Sequence, residues 1–212
     1  MKNKNPYFET RFKYDKTKNV VWKVVSEYIK KNIDIKNPKI IDLGAGHCFF
    51  INNFESTSKY ALDRDKHVLK YASNNIYKIV SDVNFLPLKN NSFDVIFLSN
   101  LLEHLKKKDI MRLVMHIYEI LKHNGYFISI TPNFKHCYKS YFDDYTHETI
   151  LTDESLKDIV MSCGFKIIKL CPKFLPFSAK SKLPKIKLLT KIYLHTPIKP
   201  FAGQMLIIAK KP

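Results

Sequence analysis

Residues 38–48 read Pro-Lys-Ile-Ile-Asp-Leu-Gly-Ala-Gly-His-Cys, and the rest of the chain takes its place from them. The apolar run Lys39 to Leu43 holds one acid, Asp42, and meets Gly44-Ala45-Gly46 at once. This is the pattern of a buried strand running into a glycine turn, with Phe49, Phe50 and Ile51 opening a helix behind it. Glycine at 44 and 46 permits positive φ and lets backbone come close to a ligand. Asp42 then stands at the carboxyl end of the strand, where open α/β sheets bind ligands.

Working outward, strands and helices alternate. Thr17 to Ile33 carries Val20, Val21, Val24, Val25, Tyr28 and Ile29 at helical period, with Thr17 as expected N-cap. A second strand, Lys59 to Leu62, ends at Asp63, 21 residues after Asp42. An acid about 20 residues past a glycine turn is placed to accept hydrogen bonds from ribose hydroxyls. Tyr77 to Val80 is a third strand, followed by Ser81-Asp82-Val83. After the turn Asn90-Asn91-Ser92, Phe93 to Leu98 is a strand apolar on both faces, as a central parallel strand should be. Lys108 to His123 is read as a helix closed by Asn124-Gly125, and Tyr126 to Ile130 as the fifth strand. Residues 133–151 form a long aromatic loop, the expected seat of substrate recognition. Thr152 caps a helix with Asp153 and Glu154 in its first turn, and Gly164 stops it. Phe165 to Leu170 and Gln204 to Ala209 are the last two strands. Between them, 172–203 is a proline-bearing basic amphipathic insert. Its segment 180–195 is suited to an anionic membrane or to covering an apolar substrate.

The combination Asp42-Leu43-Gly44-Ala45-Gly46, Asp63, Asp82-Val83, Phe93-Asp94-Val95-Ile96-Phe97, Leu102-Glu103-His104-Leu105 and Asn124-Gly125 resembles the class I S-adenosylmethionine-dependent methyltransferases, over roughly 38–170 plus the final strand. A dinucleotide fold would need its third glycine at Phe49. The resemblance implies a seven-stranded, mostly parallel, doubly wound sheet with an antiparallel last strand, in an α/β/α sandwich. One domain is expected over 1–212: a cofactor-covering segment and helix at 1–36, a core at 37–171, the insert or lid at 172–203, and the last strand at 204–210.

The resemblance also implies S-adenosyl-L-methionine as cofactor and S-adenosyl-L-homocysteine as product. Asp42, Gly44, Ala45 and Gly46 would form the cofactor turn, and Asp63 would hold the ribose. Arg64 would lie against the adenine or in solvent. Asp82 and the amide of Val83 would read the adenine, and the backbone of Asn100 and Leu101 would pass under the methionine end. Arg11, among the aromatic residues 7–14, belongs to the segment that would close over the cofactor. The narrower likeness, carried by Asp143-Asp144-Tyr145-Thr146-His147 and the helix after it, is to the branch acting on small molecules, including glycan- and lipid-linked acceptors.

A hydroxyl acceptor benefits from a general base, and histidine is the commonest. His147 is the candidate, with Asp143 and Asp144 near enough in sequence to orient it; His104 is the second. His136, Asp143, Asp144 and His147 match no compact ligand spacing, so no metal is expected. Methylation of an acceptor oxygen is the leading reading. Two alternatives are an RNA methyltransferase using the lysine-rich surface and a non-catalytic nucleoside- or partner-binding module on the same fold.

Composition bounds these readings. Of the 212 residues 45% are hydrophobic, enough for a real core. No apolar run reaches the roughly 18 residues of a membrane-spanning helix. The first residues lack the apolar core of a signal peptide, so the expected compartment is the cytosol, with peripheral contact at the inner membrane face. Thirty-six Lys+Arg against 19 Asp+Glu give a net charge of +17, a balance compatible with nucleic acid or anionic lipid. Cys48, Cys137, Cys163 and Cys171 make no Cys-x-x-Cys pair, so neither a zinc knuckle nor a disulfide framework is indicated.

Overall fold

A computed structural model describes residues 13–176 and 186–212. Arg11, with Tyr7, Phe8 and Phe12, lies outside the described residues. The elements run α1 Lys18–Lys31, β1 Ile40–Leu43, α2 Phe49–Asn53, β2 Lys59–Asp63, β3 Ile76–Val80, β4 Phe93–Ser99, α3 Lys107–Ile120, β5 Leu121–Pro132, α4 Phe134–Cys137, α5 Asp153–Ser162, β6 Lys166–Pro176, α6 Lys187–His195 and β7 Ala202–Lys210. Short 3₁₀ turns occupy Leu69–Tyr71, Leu102–His104 and Tyr138–Asp143.

The seven strands form one sheet in the order β3-β2-β1-β4-β5-β7-β6. The pairs from β3 across to β5 are parallel, and β7 runs antiparallel to both β5 and β6. The expected seven-stranded sheet with its antiparallel last strand is therefore the one observed. The chain winds outward from β1 to β3, then returns to lay β4 against the other side of β1. That reversal is a topological switch point, where a crevice opens beyond the carboxyl ends of the strands.

Side chains alternate across a strand, so a strand covered on both faces must be apolar at consecutive positions. Val95 and Phe97 of β4 join one core, with α1 and α2; Ile96 and Leu98 join the other, with α3 and α5. Strand β7 divides likewise, Leu206 and Ile208 against Met205, Ile207 and Ala209. Phe97 also stacks on Phe50 at 3.6 Å between centroids, tying α2 to the sheet directly behind the glycine turn. Burying each such ring stabilises the fold by about 1.5–3 kcal/mol. On α3 the stripe Ile110, Leu113, Val114, Ile117 and Ile120 is buried, one face of a 3.6-residue period.

Several local expectations are corrected. Helix α3 stops at Ile120, not His123, because Leu121 already pairs with Phe93. The left-handed residue of the following turn is Asn124, at φ 64°. Gly125 is needed for space instead: a Cβ there would stand 2.8 Å from the Lys122 carbonyl oxygen. Thr17 does not cap α1 through its side chain; its hydroxyl donates to Asp15 Oδ1 at 2.6 Å. Thr152 does cap α5, since the Ser155 amide donates to its Oγ1 at 3.2 Å while Ser155 Oγ takes the Thr152 amide at 2.9 Å. Residues 133–151 are no open loop, for α4 and a 3₁₀ turn occupy 134–143 around buried Tyr141. Strand β6 continues to Pro176, six residues past its expected end.

Candidate functional site

The crevice is built from the loops after β1, β2 and β4. Gly44 and Gly46 have φ of +68° and +48°, and Cys48 follows at 59°. Left-handed backbone is cheap only for glycine, costing other residues about 1–2 kcal/mol. A Cβ on Gly44 would also stand 3.2 Å from Leu101 Cδ1, so the loops after β1 and β4 approach tightly at this glycine. The Gly46 amide donates to Asp63 Oδ2 at 2.9 Å, and the Asp65 amide to Asp63 Oδ1 at 2.9 Å. The end of β2 is thereby clamped to the glycine turn. Burial raises the Asp63 carboxyl, partly offset by those two amides. Asp42 is only 2% exposed, and burial together with the nearby Asp63 holds its carboxyl well above the ordinary range.

Around this centre stand the other expected residues. Asp82 Oδ1 takes the amide and the side-chain nitrogen of Asn84, each at 2.9 Å, which folds the turn carrying buried Val83. Asn100 lies left-handed at φ 50°, with its Oδ1 held by Gln204 Nε2 at 2.7 Å. Arg64 is exposed, and its charge reaches both Asp63 and His104. Tyr14 stacks on Tyr71 at 4.3 Å, with its ring edge toward His47 at 5.4 Å, so the stretch before α1 lies against the glycine turn.

The catalytic candidates come together beside the turn after β4. The rings of His104 and His147 are 5.0 Å apart. His147 Nδ1 lies 2.7 Å from the Tyr141 carbonyl oxygen. His104 Nδ1 lies 3.1 Å from the Thr146 carbonyl oxygen and 2.9 Å from Thr146 Oγ1. Carbonyl oxygens only accept, so each neutral ring carries its proton on Nδ1 and its lone pair on Nε2. The expected carboxylate orientation of His147 is thus replaced by a backbone carbonyl at Nδ1. Asp144 acts on the group through Thr146, whose hydroxyl and amide donate to Asp144 Oδ1 at 2.6 and 3.1 Å. Burial pushes the Asp144 carboxyl up, but Thr146 and the two histidines more than offset this and hold it below the usual range. Burial lowers His104.

Two members of this group went unread in the sequence. Glu103 is 1% exposed, accepts the Thr131 hydroxyl at 2.9 Å, and is pushed by burial up to about 8. It looked like one polar residue in an apolar turn, and only the fold of 138–149 over it reveals its neighbours. Gln204 sits 104 residues from Asn100, with no local signal to join them. His136 is not part of the cluster and lies instead among Lys173, Asp153 and Lys135.

Comparison with known proteins fits this geometry. Residues 41–129 match the family model described as a methyltransferase domain. An uncharacterised protein of Methanocaldococcus jannaschii is 28% identical over 152 residues, 70% of this chain and 64% of that one. A phosphoethanolamine N-methyltransferase of Plasmodium falciparum is 25% identical over 146 residues, 62% of this chain and 54% of that one. The matched stretch thus spans less than two thirds of the length of either relative. Among solved structures, a methyltransferase of Archaeoglobus fulgidus shares the fold with a TM-score of 0.70 at 22% identity, covering 96% of this chain and 98% of that one. The strand order and the glycine turn define a doubly wound α/β sheet with a crevice at its switch point. With the domain matched over residues 41–129, the chain is similar to S-adenosylmethionine-dependent methyltransferases and has their fold.

Proposed function

We propose that the protein transfers a methyl group from S-adenosylmethionine to a hydroxyl oxygen of a small-molecule, saccharide or lipid-linked acceptor. The observation that carries this reading is the convergence of His104, in the turn after β4, and His147, from the segment leading into α5, with ring centroids 5.0 Å apart. Left-handed backbone at Gly44 and Gly46 after β1 and the carboxylate of Asp63 at the end of β2 support a fit to the cofactor.

When bound, the cofactor supplies an electrophilic methyl group on a sulfonium. Asp63 accepts from the ribose hydroxyls, and Gly44, Ala45 and Gly46 give the backbone its close approach. Buried Asp42 braces the turn. Asp82 and the Val83 amide would hold the adenine, with Arg64 at the rim, while Asn100, fixed by Gln204, and Leu101 would line the methionine end. Arg11 would complete the cover. His147 takes the acceptor's proton at Nε2, with His104 beside it, kept neutral by burial. Asp144 positions Thr146 and through it His104. The Plasmodium relative, an enzyme named for a small phosphorylated amine, supports a small acceptor. Peripheral contact with an anionic membrane through α6 would suit a lipid-linked one.

The test is His147→Ala with a radiolabelled methyl donor and a screen of glycans and lipids. The expected result is unchanged cofactor affinity with turnover lowered about 100-fold or more, the usual worth of a general base. Unchanged turnover would remove His147 from the chemistry.

A further inference from the structure

The group that closes over the acceptor end has the composition of a metal site, which the sequence alone did not suggest. Among the described residues, Glu103, His104 and His147 each offer one ligand atom, and the three atoms lie within 4.8 Å of one another. Two imidazoles and one carboxylate suit a divalent transition metal, whereas magnesium and calcium favour oxygen throughout. Zinc bonds of about 2.1 Å hold ligand atoms some 3–4 Å apart, so small side-chain rotations would close the set.

The surroundings have the second feature of such sites. Metal-ligating histidines almost always give their other ring nitrogen to a carbonyl or carboxylate, which fixes the tautomer. Both rings do so: His147 Nδ1 on the Tyr141 carbonyl and His104 Nδ1 on the Thr146 carbonyl and hydroxyl. The hydroxyl is held by Asp144, and buried Glu103 is oriented by the hydroxyl of Thr131. Every candidate ligand thus has an outer partner, and Nε2 carries the lone pair in both rings.

We infer that Glu103, His104 and His147 bind one divalent transition-metal ion, of the zinc or cobalt kind, at the acceptor end of the crevice. Three protein ligands leave coordination positions open, and an acceptor oxygen bound there would lose its proton more readily. The inference rests on the reading of this cluster as the acceptor end. It assigns both Nε2 lone pairs to the ion, which takes the place of the base role given to His147 above. The O–H bond of an acceptor bound to the ion would break with its proton passing to bulk water, and the oxygen would keep the electron pair. Asp144 and Thr131 become positioning residues.

The test uses the full-length chain, stripped with a chelator and dialysed against Zn²⁺ or Co²⁺. Bound metal is counted by mass spectrometry, with S-adenosylmethionine titrated in parallel. The expected result is one ion per chain, and a cobalt spectrum without the thiolate charge-transfer band that cysteine ligation would give. His147→Ala should weaken metal binding more than about 100-fold, beyond the loss seen on removing an outer partner, while leaving cofactor affinity intact. If the variant fails to fold, the wild-type stoichiometry and cobalt spectrum decide. No retained ion, a thiolate spectrum, or equal retention by a folded His147→Ala would overturn the inference. Cofactor binding that survives such a failure leaves the methyltransferase reading standing. Absence of cofactor binding in the wild type would remove that reading by itself.

Discussion

Gly44 shows how much the site depends on what a residue lacks. Its φ of +68° and the 3.2 Å approach of Leu101 are two separate reasons for glycine. Gly44→Ala is expected to destabilise the fold by about 1–2 kcal/mol in urea denaturation and to weaken cofactor binding. Full stability and affinity would mean that the turn is not held as described. The glycine turn at Gly44 and Gly46 and the acid at the end of β2 were legible in the sequence because they follow from local backbone geometry and a fixed spacing. His104 and His147 were legible as residue types suited to proton transfer. Their meeting was not, since it depends on how 138–149 folds over the turn after β4. Glu103 is not legible, because a glutamate in a short turn reads as a solvated charge until its burial is known.

At the level of elements, α5 offers a test of pH dependence. Asp153 stands in its first turn, beside the unpaired amides that favour an anion. Lys135 Nζ and Asn133 Nδ2 each lie 3.0 Å from its carboxylate. Burial raises this group, but Lys135 and Asn133 more than offset that and hold it below the ordinary value. A depressed acid stabilises the fold above its unfolded pKa, and the contribution fades as pH falls through the folded value. Asp153→Asn should therefore lose about 1 kcal/mol at neutral pH, with the gap to wild type closing below about pH 4 in denaturation curves. A gap that does not change with pH would contradict the assignment. This helix start was readable, since Thr152 and the acids after it form a local signal. The end of α3 was not: Leu121 leaves the helix to pair with Phe93, a tertiary demand that overrides the Asn-Gly signal downstream.

For the whole molecule, the open matter is the charge of +17. No helix among the described residues is long and apolar enough to cross a membrane. Helix α6 buries Leu194 but leaves Leu188, Leu189 and Ile192 at 66%, 45% and 56% exposure, with Lys187 and Lys191 beside them. Apolar and basic side chains on one exposed helix suit an anionic lipid surface. Co-sedimentation with phosphatidylserine vesicles should weaken with salt and fall sharply in a Leu188→Ser, Leu189→Ser, Ile192→Ser variant. Equal binding by that variant would contradict a role for α6, and tight, salt-sensitive RNA binding would move the acceptor toward nucleic acid.

In the proposed function the glycine turn and Asp63 together hold S-adenosylmethionine. Calorimetric titration of the full chain with S-adenosylmethionine and S-adenosylhomocysteine, alongside Asp63→Ala, tests it most directly. Both ligands should bind saturably and one-to-one, weakened at least about tenfold in the variant by loss of charge-assisted hydrogen bonds to the ribose. Absence of binding, or equal affinity in a folded Asp63→Ala, would contradict it.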